Sequence, residues 1–253
     1  LGYKHNPWPM HCLGELRPHW QPAGRDSAVV VQARLLGLAN LLPAELPTAD
    51  RQNADFCRQL WDVWWREREA FHDLVLPRAM WRFSGLRPAN HPQRRLALAA
   101  HWAARGDLPR RLDRWATGTQ SATRQAAALA HLLQVDDDPF WCRHWTLRSA
   151  RLAQPQSLLG AARVTDLAIN VILPWLWVRA GEGRNAPLQT ALTQWYFDWP
   201  AGEDNALLRR ARQRLLGGAP RAALRTAAEQ QGILQILRDF CVASNALCLS
   251  LIH

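Results

Sequence analysis

The stretch Ser157-Leu-Leu-Gly-Ala-Ala-Arg163-Val-Thr-Asp166-Leu-Ala-Ile-Asn170-Val-Ile-Leu-Pro174-Trp-Leu-Trp-Val-Arg-Ala180 decides the fold class. Leu167, Ile169, Val171, Ile172, Leu173, Trp175, Leu176 and Trp177 fall nearly all round a helix of period 3.6, the mark of a helix buried on every side. The spacing predicts a central apolar helix over residues 157–180, ended by Gly181 and Gly183. Its most apolar run, residues 167–178, is interrupted by Asn170 and Pro174. That run is shorter than the roughly 20 residues a membrane span needs, and the expectation is no membrane.

Outward from that helix the same period recurs. Pro9 opens a short helix to residue 16. Asp26 or Ser27 caps a helix carrying Ala28, Val31, Leu35, Leu38 and Leu42 on one face. Asp50 or Asn53 starts the longest periodic segment, to about residue 76, with Arg66-Glu-Arg-Glu69 as a solvated face. Further helices are predicted from Pro92 to Gly106, from the cap Asp107 through Trp115, over 121–135, 141–145, 187–197 and 204–216, and last over 221–240. Prolines fall between these segments, Pro174 excepted, and no segment alternates with period two. The expectation is all-α: an irregular bundle of about ten helices around the 157–180 helix, as a single domain over residues 1–253.

The formal charge is +10, and Lys4 is the only lysine, so the excess is arginine. Guanidinium pairs bidentately with phosphate, which makes nucleic acid a candidate partner. A genome whose codons favour Arg and Ala explains the same excess, and the Ala-rich runs at 96–100 and 126–130 fit that. Five scattered cysteines (Cys12, Cys57, Cys142, Cys241, Cys248) form no C-x-x-C pair and read as reduced thiols in the cytoplasm. Cys241-x6-Cys248-x4-His253 and His11-Cys12 fall short of a metal pattern, so neither metal nor cofactor is expected. The 14 tryptophans are expected at helix seams, each with an N–H that needs a partner.

Three polar anomalies stand out. Residues 81–95 put four arginines and two prolines at the entry to an apolar helix. Pro92 suits a first helical position with Asn90 or His91 as cap, and Arg94 and Arg95 then lie at the positive end of the helix dipole. Arg87, Asn90, His91, Arg94 and Arg95 are therefore candidates for a phosphate or carboxylate site; the alternative is internal pairing that locks the loop. Second, Asp166 and Asn170 share one face of the apolar helix, where a buried acid needs an arginine, Arg87 or Arg163. Third, Gln231, Gln235 and Arg238 share a face of the last helix, and Gly232 suggests close approach there. Arg87, Asp166, Asn170, Gln231, Gln235 and Arg238 form the expected buried polar network, with Arg87 turned inward and Arg94 and Arg95 left for a ligand.

Four motifs carry a resemblance. Leu1-Gly-Tyr3-Lys4-x-Asn6, Leu86-Arg87-Pro88-Ala89-Asn90-x-Pro92-x-x-Arg95-Leu96, Asp166-x-x-Ile169-Asn170-Val171-x-Leu173-Pro174 and Gln230-Gln231-Gly232-x-x-Gln235-x-x-Arg238 resemble the uncharacterised bacterial family catalogued as domain of unknown function 2851. The resemblance runs along the whole chain in order and implies that this is the C-terminal half of a longer protein. The absent upstream half is implied to carry acidic motifs similar to a nuclease metal core, and to be a partner of this half. Family members carry a further cysteine after the position of Cys248, where this chain has Leu251, which weakens a metal reading.

The best-supported expectation is a basic all-α accessory domain that binds nucleic acid or phosphate within a larger bacterial protein. The alternative is a structural or protein-interaction domain held by its internal Arg-Asp-Asn-Gln network, with no ligand. An enzyme using Asp166 or Glu229 as base and His91 as acid is the weakest of the three, because no paired motif supports it.

Overall fold

The residues quoted first do not all join one helix. Residues 157–160 stay outside any helix, with Leu158 N–H donating to the Val135 carbonyl at 2.9 Å. From Ala161 the chain runs through α8 (Ala161–Leu167), a π-helical turn (Ala168–Ile172) and α9 (Leu173–Glu182). Pro174 has no N–H to donate and its ring crowds the carbonyl four residues back, and the wider π turn before it absorbs that defect. The helix therefore continues for 22 residues, long and apolar enough by length and composition to cross a membrane. The expected helix over 157–180 is thus continuous through Pro174 but begins at Ala161, and the whole of it, not only the run 167–178, meets the length criterion.

The computed structural model describes residues 5–21, 26–47, 51–106 and 108–242. Among them the fold is all-α, as expected, with no strand and one isolated antiparallel bridge between Pro200 and Thr226. Asp50 and Asp107, named as caps, lie outside the described residues, as do Tyr3, Lys4, Cys248 and His253. The chain divides into two compact units, Leu1–Arg110 with Leu133–Gly160, and Arg111–Leu132 with Ala161–His253.

The first unit is built on α3 (Ala28–Leu38), α4 (Arg51–Glu67) and α5 (Pro92–Ala104), preceded by α1 (Pro7–Glu15) and α2 (Arg17–Trp20). Ser27 caps α3, its hydroxyl accepting from Val30 N–H at 3.4 Å. Every residue of α3 from Val31 to Leu38 is buried. The helix buried on all sides is thus α3, not the 157–180 stretch. Gln32 and Arg34 disguise it in the sequence, but both are satisfied inside. Arg34 forks onto Glu67 at 2.6 and 2.8 Å and reaches Asp26 at 2.6 Å. Gly37 lets α3 approach the Trp64 ring of α4. After Glu67 the chain tightens into a 3-10 stretch, Arg68–Leu74, rather than extending the helix to 76, and Phe71 stacks on Trp64 with centroids 5.7 Å apart.

The second unit holds most of α6 (Leu108–Ala116), then α7 (Ala122–Leu133 by its bounds), the α8–α9 helix, α10 (Ala186–Asp198), α11 (Ala206–Leu215) and α12 (Ala227–Ile236). Trp115 packs on Trp195 and Trp199. Leu208, Ala211, Leu224, Ile233 and Leu237 form a core between α11 and α12. The α8–α9 helix buries one side only: Val171, Trp177 and Val178 are about half exposed, and Asn170 is exposed as well. The last helix starts at 227, not 221, because Thr226 and Glu229 form a capping box. The predicted 141–145 helix is instead a run of turns.

Five tryptophans satisfy their N–H on the backbone, as expected, whereas the buried Trp199 N–H has no partner among the described residues. Trp20, Trp61, Trp81, Trp102 and Trp115 each donate their indole N–H to a backbone carbonyl. That use of the N–H fits packing at seams.

Candidate functional site

The N-terminus of α5 holds the residues expected to bind an anion. His91 caps the helix, its Nδ1 accepting from Gln93 N–H at 3.3 Å, as one of the two expected caps. Burial, with the positive charge of Arg78 adding to it, pushes the His91 imidazole down to about 4. Arg94 is 1% exposed and points inward, where its two terminal nitrogens donate to the carbonyls of Trp141, His144, Gln156 and Ser157. The positive charge beside the positive helix end is therefore met by four carbonyl dipoles of the turn-rich segment 141–157. Arg95 is also buried and donates to the His5 carbonyl at 3.1 Å. Asn6 pairs both ways with the backbone of Arg82, at 2.9 and 2.7 Å. The first two family-like motifs thus meet at the start of α5. Arg87 is exposed and Asn90 half-buried.

The expected buried network is not buried. Asp166 bonds Arg163, three residues back, at 2.6 Å, and both side chains are more than a third exposed. Such a pair contributes about 0–1 kcal/mol. Asn170 returns its amide to the Asp166 carbonyl at 2.9 Å. Arg238 and Gln235 lie on the surface and bond each other at 2.7 Å. The buried glutamine is Gln230, which accepts from Gly202 N–H at 2.8 Å, while Gln231 is half-buried. Gln231, Gln235 and Arg238 do share a face, but the core takes the face of Ala227, Gln230, Ile233 and Leu237 and leaves theirs to solvent. Among the described residues nothing lies within 4 Å of where a Gly232 Cβ would sit, so no close packing there explains it.

A buried acid does exist, in the first unit, and the sequence reading passed over it. Asp138 accepts from Phe140 N–H at 2.9 Å and Trp141 N–H at 2.5 Å, and from His101 Nε2 at 2.6 Å. Burial alone would raise the Asp138 carboxyl, but the bonds from His101, Trp141 and Phe140 outweigh it and hold it below the usual carboxylate value. A folded-state value below the unfolded one means stability present above the unfolded value and lost as pH falls through the folded one. Urea unfolding below pH 4 is expected to show this loss, and Asp138→Asn to flatten it; an unchanged pH slope in the variant contradicts the assignment. The nearby thiols do not supply a nucleophile: burial pushes Cys142 up and Cys57 to about 11. Glu229 is used in its capping box and held low by the Thr226 and Arg225 N–H groups. Among the described residues, no group of three His, Cys, Asp or Glu could hold a metal.

The charged surface that remains open is α11. Asn205 caps it, accepting from Leu207 and Leu208 N–H at 3.0 Å. Leu208, Ala211 and Arg212 face inward. Arg212 forks onto Asp204 at 2.8 and 2.9 Å, which raises the guanidinium and lowers the acid. Arg209 and Arg221 also act on Asp204, so three guanidiniums surround one carboxylate. Arg209, Arg210, Gln213 and Arg214 are exposed. Among the described residues, Arg210 and Arg214 have no hydrogen-bond or ion-pair partner, and they stand one helical turn apart.

No curated protein matches the chain, and no solved structure does. One family matches residues 1–205, which takes in α1 to α10 and ends just before α11. With most of its length covered, the chain belongs to the family described as protein of unknown function DUF2851.

Proposed function

We propose that the chain is a basic all-α module that binds nucleic-acid phosphate through α11, as an accessory domain of a larger bacterial protein. The observation that carries this reading is the exposed row Arg209, Arg210 and Arg214, two of which lack any partner among the described residues. Like charges four residues apart weaken a helix by about 0.2–0.5 kcal/mol. A phosphate laid across them turns that repulsion into attraction and gains bidentate bonds. The formal charge of +10 adds long-range attraction for a polyanion.

Fluorescence anisotropy with labelled single- and double-stranded DNA and RNA tests it. Binding is expected at about 50 mM salt and falls steeply toward about 200 mM as counterions are released. Absence of binding at the lower salt, or affinity indifferent to salt, contradicts the reading.

A second reading, a structural or protein-interaction domain, draws on a different observation. Arg34, Arg94, Arg95 and Arg212 are all spent inside the fold. Under that reading no nucleic acid binds, and α11 tolerates loss of its exposed arginines without consequence for binding.

A further inference from the structure

On the surface of the first unit, α4 carries Trp61 and Trp65 four residues apart, with centroids 6.4 Å apart and planes inclined at 58°. With Ala44, Leu46, Arg58 and Asp62 they line a groove of about 410 Å³, within the range of small-ligand sites. Trp61 is held by its N–H, which donates to the Pro43 carbonyl at 2.9 Å. Trp65 is 58% exposed, although a tryptophan left in water forfeits its burial energy. The Arg68 guanidinium lies over the Trp65 ring, 3.5 Å from its centroid, and does not line the groove. One ring face is thus covered by a cation, and Trp65 is among the side chains that line the groove. Arg58 is paired with Asp55 at 2.7 Å, whereas Asp62 has no hydrogen-bond or ion-pair partner among the described residues.

We infer that this groove takes an unstacked guanine base of a single-stranded nucleic acid, a reading that rests on the proposed nucleic-acid binding. The rings are too close and too inclined to clamp a base between them, so stacking falls to Trp65, with Trp61 as a side wall. The Asp62 carboxylate offers two acceptors and no donor. Guanine alone among the bases presents two adjacent donors, N1–H and the N2 amine, on its Watson–Crick edge. Adenine presents an acceptor at N1, which Asp62 repels. Arg58 and Arg68 are paired with Asp55 and Glu69, at 2.7 and 3.3 Å, so the Asp62 edge rather than the phosphate carries the selectivity. An organic cation is the other ligand that an aromatic wall with a carboxylate attracts, and competition with tetramethylammonium separates the two.

The test compares labelled thymidine octamers with one central guanine or adenine, and separately GMP and AMP by calorimetry, on the full chain. The guanine octamer is expected to bind about fivefold or more tighter than the adenine one. Trp65→Ala weakens both by about fivefold or more, and Trp65→Phe restores much of that loss. Asp62→Asn removes the guanine preference. Both positions are exposed, so these variants keep the fold. Equal binding of the two octamers, indifference to Trp65→Ala, or displacement by tetramethylammonium but not by GMP overturns the inference. Arg210→Gln with Arg214→Gln weakens both octamers alike and leaves the guanine preference unchanged. Failure of every octamer to bind sinks the α11 reading, and GMP binding over AMP still decides the groove.

Discussion

Arg94→Met is expected to lower the unfolding free energy by about 3–5 kcal/mol, read from urea transitions at neutral pH. The methionine fills much of the space but leaves the carbonyls of Trp141, His144, Gln156 and Ser157 without the donors they now have. Each buried acceptor stripped of its donor costs about 1–3 kcal/mol, less where water reaches it. The segment 141–157 has no helix of its own to absorb those carbonyls, so the guanidinium acts as the template on which it folds. Arg94→Lys keeps the charge but loses the planar fork, and its loss falls between wild type and Arg94→Met. A loss under about 1 kcal/mol for the methionine variant shows that the carbonyls find other donors, and the template idea fails.

Gly37→Val is the second large effect, at about 3 kcal/mol, the upper end for overpacking. A Cβ on Gly37 would sit 2.2 Å from two atoms of the Trp64 ring. Trp64 cannot swing clear, because Phe71 is stacked on it within 6° of parallel. Gly14, in α1, is the internal control: no described residue lies within 4 Å of its Cβ position. Gly14→Ala is expected to stabilise by about 0.4–1 kcal/mol, since only the unfolded chain changes. Thermal melts of the two variants should move in opposite directions. A Gly37→Val protein as stable as wild type contradicts the close approach of α3 and α4.

How much of this was legible follows from where each signal lives. The all-α class could be read from period 3.6 and from prolines between segments, because both are local. The fully buried helix was misplaced because α3 carries Gln32 and Arg34, whose partners Trp141, His101 and Glu67 lie far along the chain. Arg94 shows the same limit. The sequence exposed a charge in conflict with a helix dipole, but nothing local says that carbonyls some fifty residues on resolve it. Gln230 was missed although a signal existed: it stands three residues before Ile233 and seven before Leu237, on the apolar face of the last helix. The division of labour on α11 was legible in principle, since Arg212 shares the spacing of Leu208 and Leu215 while Arg210 and Arg214 do not. The Trp61–Trp65 groove left no trace, because its remaining wall comes from Ala44 and Leu46 on a separate loop.

The most direct measurement of the central claim is the slope of log K against log salt for a labelled single strand, in wild type and in Arg210→Gln/Arg214→Gln. Two phosphate contacts contribute about 1.4 to that slope on single strands, at roughly 0.7 each. The account predicts that the double variant binds more weakly at low salt and that its slope is shallower by about that amount. Equal affinity and equal slope in the two proteins would contradict it.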